Sequence, residues 1–341
     1  MNAAVAQAAA EDRAATGTRI DQVTRDLTAA WATSWTAQDA QLGAVLAGLI
    51  AAAAAWPSRR EIVTSYRLQF AFAALQQTFT RLADRAAALI GGAAADAARD
   101  AAAAQAAMIA AQLPPGVTVA PGVATVTDEQ IAEIARRATA NTAATLKDMP
   151  GQVADAVRGE IVRGHPDTDL QRALRRVLDA AGQHSSAAFA RALLVARTEI
   201  MDAHRAAAQA TQETATELLD GWMWWANLDA GPCGACFALH GTVYPLSETG
   251  PYDHPAGRCI RVPVVKSWSE LGLPGAEPGN LTPDSEALFR ALPRADQLRI
   301  MGPGRLHLLD TGQVAWADLV RRRDNPGWRP SISLVPLKDL T

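Results

Sequence analysis

The chain is 341 residues long, with 32 basic and 35 acidic residues, a net charge of −3 and 49% hydrophobic residues. That length suits two or three domains and that hydrophobic content excludes wholesale disorder. The near-balance of charge excludes a protein devoted to coating nucleic acid, which needs surplus cations to displace counterions. Three cysteines, an odd number, exclude a disulfide-stapled secreted scaffold and point to synthesis in a reducing cytoplasm.

Seventy-five alanines, and only three lysines (Lys147, Lys266, Lys338) among the basic residues, read as the bias of a GC-rich genome. Alanine is also the best helix former, so the bias leans towards helix. The start, Met1 to Asp12, has neither the basic region nor the apolar run of a leader, so none is expected. Ala40 to Trp56 is uncharged but falls short of the roughly 20 residues that a membrane span needs, so membrane association is not expected either.

Residues 1–112 are predicted to be an arm of long, alanine-faced helices, interrupted near Trp56-Pro57 and at Gly91-Gly92. Its bulky stripe is Ile62, Tyr66, Leu68, Phe70, Phe72, Leu75, Phe79 and Leu82; elsewhere the small faces bury little area and suggest dependence on a partner. Residues 113–126, rich in Pro, Gly and Val, read as a linker. Residues 127–265 form the next domain. Thr127 and Gln130 have capping-box spacing and open a helix through Lys147. Pro150 suits the first turn of a helix that stops at Gly164. Helices are then expected over Asp167–Ala181 and Ser185–Leu219, ended by Gly221. Beyond it the period changes: Trp222 to Leu228 and Ile260 to Val265 read as strands, Pro263 placing the second at an edge. Trp222, Trp224 and Trp225 suit strand pairing and core better than a partner patch. Residues 266–341 are predicted to be an extension of short helices, around Asp284–Leu292 and Val314–Arg323, with Arg321-Arg322-Arg323 on a solvated face. The fold class is mainly α with a small β-hairpin module, α+β.

All three cysteines lie between the two strands. Cys233-x-x-Cys236 aims two thiols at one point, and His254 and Cys259 return from the far side of a loop. These four are the candidate ligands of a closed tetrahedral zinc site, with His240 a spare. Three readings stay open: a structural zinc clasp, unmetallated packing of small buried thiols, and a disulfide. No catalytic template is complete. Pro232-Cys233-x-x-Cys236 matches half of a zinc deaminase signature, but none of the upstream His165, His184 and His204 begins a His-x-Glu. G-x-S-x-G, H-E-x-x-H and Walker A sequences are missing, and no βαβ context makes the Cys pair a redox motif.

Taken in order, Ala196-Arg197-Thr198-Glu199 with Ala203 and Ala207, the tryptophan strand, Leu228-Asp229, Cys233-x-x-Cys236, Leu239-His240-Gly241-Thr242-Val243, His254-Pro255 and Arg258-Cys259 resemble the phage Mu protein F family of head morphogenesis proteins. The likeness covers roughly residues 150–265, and the stretch Leu298 to Val320 is similar to the region C-terminal to this domain in many members. One departure concerns the site: Gly257 stands where the family's His-Pro-x-Cys-Arg-Cys ending carries its first cysteine. The resemblance implies a minor capsid protein without enzymatic activity, in the virion at the portal vertex or inside the capsid. It would contact the portal protein, with major capsid or scaffolding protein and packaged DNA as further candidates. Either Arg197 or Glu199 is expected to anchor the cysteine module to the long helix, the alternative being a solvated charged face. Proteins with this module can also carry a toxin or enzyme domain beyond it, but only about 75 residues come after Val265 here.

Overall fold

A chain that is one-fifth alanine forms helix wherever no proline or backbone-bonding side chain intervenes. The computed structural model describes residues 3–164, 169–228, 231–275, 282–326 and 329–340. Its elements run α1 (Ala3–Ala53), α2 (Arg59–Thr64), α3 (Tyr66–Ala110), α4 (Asp128–Leu146), α5 (Met149–Arg163), α6 (Leu170–Glu213), β1 (Leu219–Trp225), α7 (Gly234–Leu239), β2 (Val243–Tyr244) and β3 (Ile260–Val265). After these come α8 (Ser285–Arg290), α9 (Arg294–Met301), α10 (Pro303–Asp310), β4 (Val320–Arg323) and β5 (Ser331–Leu334). The α+β class is as expected. Among the described residues no helix is long and apolar enough to cross a membrane.

Local signals set several boundaries. Thr127 and Gln130 make the reciprocal capping bonds that open α4, 2.9 and 3.2 Å. Pro150 sits in the first turn of α5, and Gly164 ends it at φ 56°. Other boundaries differ from expectation. Gly91-Gly92 does not interrupt α3; a Cβ at Gly91 would lie 2.0 Å from Thr139 Oγ1, so this glycine admits α4 at close range. The two helices expected at 167–181 and 185–219 are one helix, α6, which passes through Gly182 and stops at Glu213. The expected start at Asp167 lies outside the described residues. Val314–Arg323 is a 3₁₀ turn at Trp316–Leu319 followed by β4, whose arginines pair with β5 as an exposed strand.

The described residues group into two units, each drawing on several of the segments expected from sequence. One comprises residues 19–93 and 135–200. Its centre is Trp31, whose ring lies 5.1 Å from both Phe79 and Phe189 and whose Nε1 donates to Ser185 Oγ at 2.9 Å. Trp56 Nε1 donates to the Ile161 carbonyl, fixing the break after α1. The bulky stripe divides here: Ile62, Leu68, Phe72, Leu75, Phe79 and Leu82 are buried, whereas Tyr66 and Phe70 face solvent.

The other unit comprises residues 1–18, 94–134 and 201–341. Its sheet has the order β2-β1-β3, antiparallel, with Trp222 opposite both Tyr244 and Pro263. Trp222, Trp224 and Trp225 are core residues. β3 is an edge, as Pro263 suggests, and side chains from α3 and the turn after it cover it. Gln105 donates to the Arg261 carbonyl; Gln112 donates to the Pro263 carbonyl and accepts from Val265 N–H, all at 2.9–3.0 Å. Residues 113–126 are no bare linker: Leu113 and Ala124 are buried with Ile109, Leu219 and Val265. Buried Asp12 on α1 meets buried His204 on α6 at 2.8 Å. The C-terminal extension packs Phe289 and Trp316 around Phe237 of α7.

Candidate metal centre

Three elements of this second unit bring the thiols together. Cys233 is the N-cap residue of α7 in extended conformation, and Cys236 comes within the first turn, so the short helix aims both sulfurs the same way. Between β2 and β3 the chain turns at His254-Pro255-Ala256-Gly257, closed by Gly257 N–H donating to the His254 carbonyl at 2.9 Å. Cys259 immediately precedes β3. The ligand atoms of Cys233, Cys236 and His254 all lie within 4.8 Å of one another. Cys259 Sγ hydrogen-bonds the Cys236 thiol on its other side and is not in that group of three. All three cysteines are free.

Their titration reflects this crowding. Cys236 donates to Cys233, and together with a bond from His254 this pushes the Cys233 thiol down to about 4 against the opposing effect of burial. The bond to Cys233 raises His254 to about 9, giving a thiolate–imidazolium pair. Cys236, between two other sulfurs and buried, is pushed well up. His254 Nδ1 donates to the Pro255 carbonyl at 2.9 Å, which leaves Nε2 to face the thiols. A ring fixed in this way is the usual support of a metal-ligating histidine. Two sulfurs and one imidazole nitrogen at this separation are a donor set that fits a zinc-sized cation. His240 does not join them: its Nδ1 accepts from Ala226 N–H at 3.1 Å, and burial, helped by Arg13, lowers its pKa to about 4.

Of the two residues expected to anchor the module, Arg197 is exposed and Glu199 accepts from Asn141. Arg205 on the long helix anchors it. Its Nε donates to the Cys259 carbonyl at 2.9 Å, and Nη2 to Asp253 Oδ2 at 2.6 Å and the Gly257 carbonyl at 3.0 Å. Burial opposes its charge, but Asp253 and Asp202 outweigh that and raise its pKa. Asp253, fully buried, also accepts from Cys259 N–H at 3.1 Å. Arg329, from the extension, reaches the same cluster through Asp202 Oδ2 at 2.6 Å and the Asp253 carbonyl at 2.9 Å. Gly257 has a physical reason here: a Cβ would lie 2.1 Å from Asp253 Oδ2, so the carboxylate fills the space a side chain would take. Neither Arg205 nor Asp253 stands out in a sequence so rich in arginine; the adjacency of Asp253 to His254 is the one hint the sequence holds.

A cysteine-bearing knuckle is thus clamped to a long helix by a buried arginine. The family described as Phage Mu protein F like protein has a model that matches residues 151–260, about a third of the chain, including all three cysteines and His254. Over that span the chain is similar to the Mu protein F-like family, as the motifs suggested. No curated protein and no solved structure matches. Asp229, one of the residues carrying the resemblance, lies outside the described residues.

Proposed function

We propose that the chain is a minor capsid, head morphogenesis protein of a tailed bacteriophage. It is made in the host cytoplasm, docks at the portal vertex during head assembly, stays in the virion and influences DNA packaging or ejection. The match over residues 151–260 carries this reading. The geometry supports it: the conspicuous side chains of the module are spent on holding a loop to a helix, and the extension after β3 is spent on packing against α7. The portal protein is the primary partner, with major capsid or scaffolding protein secondary.

Within this reading Cys233, Cys236 and His254, with Cys259 beside Cys236, hold a structural zinc ion that stabilises a loop-rich knuckle. What supports it is the sulfur–nitrogen set and the seating of His254 on the Pro255 carbonyl.

Mass spectrometry of purified particles tests the function, with the chain expected at low copy. Its absence from particles that assemble normally without it overturns the proposal. Metal analysis of the full chain, purified without chelators, is expected to give about one zinc per chain, lost in Cys236→Ser. A metal-free, fully folded chain that takes up no added zinc rejects the clasp.

A further inference from the structure

The exposed apolar surface is unevenly distributed. Among the described residues the three most exposed large hydrophobic side chains are Tyr66 (82%), Phe70 (60%) and Val63 (57%), and all three stand at the corner where α2 meets α3. Phenylalanine and tyrosine together number only nine in this chain, so two in water at one place is a concentrated exception. The corner is also stiff. Ser58 and Glu61 cap α2 reciprocally, Ser65 N–H donates to the Glu61 carbonyl, Ser65 Oγ accepts from Leu68 N–H, and Gln69 Nε2 donates to the Ile62 carbonyl. Ile62 and Leu68 are buried beneath it. A backbone fixed in this way loses little freedom when the side chains it carries are covered.

Charge selects what covers them. Arg59, Arg60 and Arg67 are close to the apolar trio along the chain, are exposed, and make no ion pair among the described residues, while the one carboxylate on α2, Glu61, is engaged by Ser58 N–H. Facing a second copy, these arginines would meet one another. Duplex DNA would satisfy the arginines but leave Val63 and the two rings with nothing apolar to contact.

We propose that this corner is a docking surface for an acidic segment of another phage head protein, its carboxylates meeting Arg59, Arg60 and Arg67 and its apolar side chains covering Tyr66, Phe70 and Val63. This rests on the head-assembly role. Binding of the purified full chain to the portal and major capsid proteins of the same phage tests it, using Tyr66→Ser/Phe70→Ser and Arg59→Glu/Arg60→Glu/Arg67→Glu variants whose thermal unfolding matches the parent. Both variants are expected to weaken binding about tenfold or more, and added salt to weaken the parent's binding. If the parent binds and the variants bind equally well, the corner is wrong and the head role stands. If the parent binds neither protein, the docking role itself falls and the corner with it. Corner-dependent binding to duplex DNA or phosphatidylglycerol vesicles in place of either protein also overturns the proposal.

Discussion

The knuckle and the helical unit built around Trp31 are held together by different physics. In the knuckle a few polar groups carry the structure: Arg205 and Asp253 between them fix the Cys259 backbone at both its N–H and its carbonyl, and the Gly257 carbonyl as well. In the helical unit the ties are apolar and steric, with rings around Trp31 and a glycine that lets two helices touch. A buried charge network fails sharply when one member is lost, because its partner keeps its desolvation cost without compensation. Small-residue packing fails by degrees, in proportion to the volume added or removed.

The sharpest way to break this contrast is Asp253→Ala. It removes the fully buried partner of Arg205, which is 5% exposed and keeps only the part-exposed Asp202, and is expected to cost about 3 kcal/mol. Chemical denaturation measures it, and a loss below about 1 kcal/mol would mean that the network is not what holds the loop. Acid acts on the same unit through His240. Its pKa falls from 6.5 free to about 4 in the fold, so the neutral ring contributes stability that is fully present above pH 6.5 and is lost as pH falls towards 4. The amplitude is about 3 kcal/mol. Comparing the parent with His240→Gln across that range isolates it: the parent's stability should fall more steeply. In the helical unit, Gly91→Val should cost about 1–3 kcal/mol by forcing α3 from Thr139. Gly92→Ala, one residue on and open to solvent, should instead stabilise by up to about 1 kcal/mol through helix propensity. Equal effects at the two glycines, read from thermal unfolding, would show that close approach is not what Gly91 provides.

Much of this fold is written in local signals. The Thr127–Gln130 box and Pro150 with Gly164 each depend on neighbours a few residues away, and each is where the sequence places it, whereas the change from helix to strand comes earlier than expected, β1 starting at Leu219. The failures share one cause. Gly91 and Gly182 look like breaks because a glycine in isolation weakens a helix, but what it meets across the packing decides its role: Thr139 for the first, the Trp35 ring for the second. The same holds at the site. The Cys and His positions are conspicuous as residue types, whereas Arg205 and Asp253 acquire their role only when α6 and the His254 turn are folded together. Arg329 adds a third chain segment to that cluster from well beyond the matched span.

The two glutamines at the C-terminal end of α3 and just beyond it have a consequence for how copies of this chain behave when crowded. A bare outer strand invites another backbone to continue the sheet. Here Gln105 on α3 and Gln112 in the turn just after it already occupy the outward groups of Arg261, Pro263 and Val265. Growth by strand addition is therefore blocked on that side from within the same molecule, and an incoming segment must first displace the end of α3 and the turn after it to begin.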